Sequence, residues 1–170
     1  MRLGDLLANQ GDVQGAREAY KLALISGRAH ISPKAMLKLG ILLAGHGDVQ
    51  EARSFFQMAI DSGHPDQAPL AAVGLGLMLA VTEDAIGARA AFQQAIDSAH
   101  AEYAPVAALN LGVLLARQGD VRGARAAFQQ AIDSGHAEYA PQAAVRLENL
   151  LAEDGNNWTE LRVRNVCRST

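Results

Sequence analysis

Cysteine is nearly absent from this chain: Cys167 is the only one in 170 residues. No internal disulfide can form, and such usage fits a reducing cytoplasm. Near a terminus, this thiol has no assigned chemistry. Also missing is any excess of positive charge. The formal net charge is −3 with a pI of 5.9, and the arginines are scattered, which excludes a polyanion such as nucleic acid as the expected partner. Long apolar runs are lacking too. The longest, Leu70 to Val81, has 12 residues, short of the roughly 20 that span a bilayer. The opening MRLGDLLANQGD has no signal-peptide hydrophobic core. These absences lead to an expected soluble, cytoplasmic protein with no membrane partner. The 12 arginines against 3 lysines, with abundant alanine, point to a GC-rich bacterial genome.

What is present is a repeated text. With 49% apolar and 19% charged residues the chain has a globular composition, and GARAAFQQAIDS occurs at Gly87 to Ser98 and again at Gly123 to Ser134, an offset of 36 residues. The copies extend over Gly87 to Pro105 and Gly123 to Pro141, which differ only where Ala99 stands for Gly135. The register continues in both directions. Gly4, Gly40, Gly76 and Gly112 step by 36, as do Tyr20, Phe56, Phe92 and Phe128, and Pro33, Pro69, Pro105 and Pro141. An active site is a single convergent constellation, whereas a stacked array is built from copies.

Within one unit, Pro105 to Ala140, every signal is helical. Pro105 suits the first turn of a helix A that Gly119 closes in left-handed conformation. Asp120 caps a helix B expected over Val121 to Asp133, which ends at Ser134 and Gly135. The two-residue turn forces the helices antiparallel. Gly112 opposite Ala124 and Ala131 lets the backbones approach while Phe128 fills the remaining gap. Expected units are about 1–32, 33–68, 69–104, 105–140 and a partial 141–153, followed by a divergent tail over 154–170 in which Asn157 and Glu160 could cap a final helix. Trp158, Leu161, Val163 and Val166 would let that tail either cap the stack or enter its groove.

The pattern Ala108, Leu111-Gly112, Leu115, Ala124, Phe128, Ala131 resembles the tetratricopeptide repeat, over about residues 1 to 153. The unit is 36 residues where that family usually has 34, and Met36, Ala72, Ala108 and Ala144 stand where a large aromatic is common. There is some likeness to the related Sel1-like repeats, which usually carry an insertion that is missing here. The resemblance implies an all-α, right-handed superhelix of two-helix repeats, an α-solenoid whose A helices line a concave groove for a peptide or helix of another protein. By that geometry the groove row is Leu37, Ile41, Leu70, Val73, Leu77, Val106, Leu109, Asn110, Val113, Gln142 and Val145, with Lys34, Lys38 and Arg146 at its margins. The family's clamp for chaperone C-terminal carboxylates needs Lys, Asn and Arg in the groove, and Leu37, Val73, Leu109 and Val145 occupy several of those places.

The expected function is therefore a non-catalytic protein-interaction scaffold holding an apolar peptide or amphipathic helix, with no cofactor or metal. Two alternatives stay open. A tight superhelix would bury the same row as plain core, and the groove with the incomplete end repeats could instead serve homo-oligomerisation.

The residue types of a catalytic triad recur as Asp61, Ser62, His64; Asp97, Ser98, His100; and Asp133, Ser134, His136. They fall at helix ends, where Ser, Gly and His are ordinary termination residues. Consecutive histidines would stand one helix-packing distance apart, roughly 8 to 10 Å, too far to share a zinc ion. One irregularity is expected to carry strain: Glu83 occupies the turn position at which glycine adopts positive φ elsewhere, at about 1 kcal/mol.

Overall fold

The computed structural model describes residues 2–25 and 32–166, with side chains described as far as residue 154. Among the described residues all regular structure is helical: α1 (Arg2–Asn9), α2 (Val13–Ile25), α3 (Ser32–Gly45), α4 (Val49–Asp61), α5 (Gln67–Val81), α6 (Ala85–Asp97), α7 (Tyr103–Arg117), α8 (Val121–Asp133) and α9 (Tyr139–Val166). The chain forms two compact units, Met1–Tyr103 and Ala104–Thr170.

In the first unit α1 packs on α2, α3 on α4 and α5 on α6, while α3 also meets α2 and α5, and α4 meets α5. In the second, α8 packs on α7 through Gly112 and Phe128 and also packs on α9. The spacing inside each hairpin has one origin. A Cβ added to Gly4 would stand 2.5 Å from the ring of Tyr20, and at Gly40, Gly76 and Gly112 the corresponding distances to Phe56, Phe92 and Phe128 are 2.8, 2.6 and 2.5 Å. Real Cβ atoms do not approach a ring so closely, so each glycine is required for its aromatic partner to lie across helix A. Ala16, Ala52, Ala88 and Ala124 on the B helices are fully buried beside these contacts, as are Ala59, Ala95 and Ala131 one turn or two further on. Small residues let the helices close and the ring fills what is left, the route to crystal-like packing density.

The ends of the helices follow the expected chemistry with one addition. Asp12, Asp84 and Asp120 each accept from the backbone N–H three residues on, at 2.9 Å from Gly15, Gly87 and Gly123, which satisfies an orphan amide of the first turn. Helix B ends at Ser62, Ser98 and Ser134. The prolines do fall in the first turn of helix A, but α5, α7 and α9 begin two residues earlier, at Gln67, Tyr103 and Tyr139. Here the preceding histidine contributes: Nδ1 of His64, His100 and His136 accepts from the backbone N–H groups of Asp66 and Gln67, Glu102 and Tyr103, and Glu138 and Tyr139, at 3.2–3.4 Å.

One expectation at the C-terminal end is corrected. No new helix starts at Asn157, because α9 runs without a break from Tyr139 to Val166. The side chains of Trp158, Leu161, Val163 and Val166 lie outside the described residues, as do Met1 and Cys167.

Glu83 has φ 63°, as expected, while Gly11, Gly47 and Gly119 take φ 79°, 83° and 75° at the same turn. A second site of this kind was not anticipated: Ala99, the one difference between the two long copies, has φ 52° where Gly63 and Gly135 have 63° and 65°. Left-handed backbone crowds a Cβ against the neighbouring carbonyl. Glu83→Gly and Ala99→Gly are each expected to stabilise the chain by about 1 kcal/mol, which at this size raises Tm by roughly 2–4 °C. Thermal denaturation checks this, and an unchanged or lowered Tm in both variants contradicts the strain.

Candidate interaction surface

Between the A helices of the first unit lies a hollow of about 420 Å³. Its floor is the ring of Phe56 on α4 and its walls are Ile41 and Ala44 of α3 and Leu77, Met78 and Val81 of α5. Gly74 explains why it is open. Positions 36 residues away on either side hold Lys38 and Asn110, whereas at Gly74 even a Cβ would meet the Phe56 ring at 2.8 Å. Along α5, from Gln67 to Val81, only Leu77 and Val81 are exposed, and both face this hollow.

In the second unit the same register builds a cavity of different chemistry. It has about 250 Å³, with Phe128 as its floor and Val113, Arg117, Arg146, Asn149 and Glu153 around it. Phe128, Val113 and Arg146 stand 72 residues beyond Phe56, Ile41 and Gly74.

The first pair of A helices fills the equivalent position with polar groups. Tyr20 replaces the phenylalanine, and its hydroxyl donates to Asp5 Oδ1 at 2.8 Å. Lys38, in the register of Gly74, reaches the same oxygen at 3.3 Å. Burial pushes the Asp5 carboxyl up, but the hydrogen bonds from Tyr20 and Lys38, with the charges of Lys38 and Lys34, outweigh it and hold its pKa below the ordinary 3.8. Burial, then the bond to Asp5 and its negative charge, push the Tyr20 phenol upward. The site is thus a tied polar cluster joining α1, α2 and α3.

The expected groove row divides when placed on the structure. Leu37, Val73 and Leu109 are 3%, 5% and 8% exposed and belong to the core, so for these three the plain-core alternative holds and they are corrected. Ile41 and Leu77 are 49% and 44% exposed, and they come together on the Phe56 hollow. Leu70, Val106 and Val113 are half-buried, with Val113 on the second cavity. Asn110 turns back on its own helix, its Nδ2 donating to the Val106 carbonyl at 2.8 Å. Gln142 and Val145 are exposed on α9.

The recurring Asp-Ser-x-His groups are occupied with helix termination. Each serine hydroxyl donates to a carbonyl three residues back at 2.6 Å and accepts from the histidine backbone N–H at 3.2–3.3 Å. The Nδ1 atoms of these three histidines accept from backbone N–H groups at the start of the next helix, where a triad base would instead face a serine hydroxyl. Among the described residues no three His, Cys, Asp or Glu side chains gather as a metal site, and no helix is long and apolar enough to cross a membrane.

The helical hairpins agree with comparison to known families, in which the tetratricopeptide repeat profile matches residues 1–69, 37–103 and 84–143. The chain belongs to the tetratricopeptide repeat family. Such repeats are scaffolds for protein–protein interaction. Solved tetratricopeptide-like structures similar to this chain include BtubC (BKLC) from P. vanneervenii, with TM-score 0.75 and 18% identity over 90% of this chain and 70% of that one. MamA is similar as well, with TM-score 0.63 and 20% identity over 94% and 98% of the two chains. A MamA RS-1 ArsTM double mutant gives TM-score 0.63 and 19% identity over 96% and 93%. At these identities the likeness concerns the fold alone. No curated protein matches the chain.

The Asp5 cluster yields a pH signature for the first tetratricopeptide hairpin. A carboxyl whose folded pKa is depressed stabilises the fold above its unfolded pKa and loses that contribution as pH falls through the folded value. Asp5→Asn is expected to lower Tm at pH 7, and the gap to the parent should close as pH drops below 3.8. A gap that stays constant down to pH 2.5 contradicts the assignment.

Proposed function

We propose that this chain is a non-catalytic scaffold that holds an apolar peptide or amphipathic helix of a protein partner against the exposed parts of its A helices. The observation that carries this reading is the open, aliphatic hollow over Phe56, where Ile41, Leu77 and Val81 remain exposed while the leucines beside them on α3 and α5, Leu39, Leu43, Leu75 and Leu79, are buried. A pocket of this size accepts one large aliphatic or aromatic side chain, and burying one contributes about 1.5–3 kcal/mol before ordering costs are subtracted. Amphipathic helices that bind grooves present such anchors at one-turn spacing. Of the expected contact residues, Ile41 and Leu77 would hold the anchor. Leu70, Val106, Asn110, Val113, Gln142 and Val145 would lie along the remaining surface. The partner is a protein or peptide and the compartment the cytoplasm.

A displayed library of random 16-residue peptides, selected on the purified chain, tests the reading. Binders are expected, and Leu77→Asp should abolish their binding while helicity is retained, because the side chain is half-exposed. Leu109→Asp, which places a charge in the core, should cost at least about 3 kcal/mol and unfold much of the protein. Recovery of no binders, or binders indifferent to Leu77→Asp, sinks the proposal.

A further inference from the structure

Two carboxylates, Asp48 and Glu83, directly adjoin lining residues of the hollow over Phe56, and both are anomalous within the repeat. Asp48 stands between Gly47 and Val49, which both line the hollow. It occupies the N-cap position of α4, yet it makes no side-chain cap bond, while Asp12, Asp84 and Asp120 at the same position all do. The cause is three residues on. The three capping aspartates face a glycine, and a Cβ there would approach the carboxylate to 2.3, 2.6 and 2.4 Å at Gly15, Gly87 and Gly123. The fourth position holds Glu51, whose Cβ is present and whose carboxylate is committed to Arg17 and Lys21. Asp48 is therefore turned off its cap and exposed.

The second carboxylate is Glu83, which directly follows Thr82 of the lining. It is exposed and held at φ 63°, where the equivalent turns use glycine. A non-glycine residue kept in that conformation beside a pocket points to a role for its side chain. The segments 39–52 and 67–88, which supply every lining residue except Phe56, contain no lysine or arginine, and Arg53, the cation of α4 near Phe56, is already paired with Asp84 at 3.2 Å. By contrast, the corresponding cavity of the second unit has Arg117 and Arg146 in its wall.

We infer that the first unit reads a basic, amphipathic segment: a large apolar side chain seated over Phe56 with a lysine or arginine within about one helical turn of it, paired with Asp48 and Glu83. Resting on the scaffold reading above, the inference adds the partner's chemistry to it. Asp48 and Glu83 supply selectivity and the hollow supplies burial, the usual division between polar rim and apolar centre.

The same selected peptides decide it. Their sequences are expected to pair a Leu, Ile, Met or Phe with Lys or Arg three or four residues away. Asp48→Asn with Glu83→Gln, which keeps the backbone of both turns, should weaken them about fivefold or more at low salt, with the loss shrinking as salt is raised. Acidic or uncharged binders, or basic binders indifferent to the double variant, overturn the inference. If such binders are still lost on Leu77→Asp, the scaffold reading survives without it. Binders indifferent to Leu77→Asp, or none at all, overturn both.

Discussion

In every hairpin the distance between helix A and helix B is set by a glycine facing an aromatic ring. Gly4 with Tyr20, Gly40 with Phe56, Gly76 with Phe92 and Gly112 with Phe128 leave no room for a Cβ, and the buried alanines around them let the remaining backbone close in. The Phe56 ring also reaches Gly74 of the following A helix, and Phe128 lines a cavity shared with α9. The space above the ring is where the chain differs from repeat to repeat. The contact that holds a hairpin together thus also provides the floor of the surface that a partner would meet.

One register position then sets the chemistry above each floor. Lys38 reaches across to Asp5 and Tyr20 and ties the first such space shut with polar bonds. Gly74 leaves the second open and apolar, and Arg146 makes the one in the second unit basic. A shared scaffold with a variable residue above an invariant ring is an economical way for a repeat to diversify its recognition, since none of these substitutions touches the contact that fixes the hairpin. Exposed Glu83 and Asp48 follow the same logic at the turns. Both give up a local stabilising feature, the glycine conformation or the helix cap, at the border of the open hollow.

Much of the fold was legible from periodicity, because the glycine, alanine and aromatic registers encode hairpin spacing directly. Helix B of the fourth repeat falls on its expected bounds, Val121 to Asp133. The binding surface was less legible. Leu37, Val73 and Leu109 share helical spacing with Ile41 and Leu77, and the difference between buried and exposed depends on how each A helix is rotated about its own axis, which composition does not encode. Other features were present in the text but needed coordinates to interpret. Ala99 differs from Gly135 by one methyl group, yet only the backbone angle reveals its strain. The histidines looked like residues that end a helix, and their Nδ1 atoms in fact cap the next one. Asp48 holds the register of the capping Asp120 and Glu51 that of its glycine partner, but only the backbone and side-chain geometry shows that the cap bond is missing.

Recognition at this surface depends on the hollow over Phe56 being open to solvent while its neighbours in the row are core. Methyl NMR of the chain with a soluble nitroxide measures this residue by residue. Strong broadening of Ile41, Leu77 and Val81 methyls, with Leu37 and Val73 unaffected, is the expected result. Protection of Ile41 and Leu77 equal to that of Leu37 and Val73 would show a closed core and contradict the interaction surface.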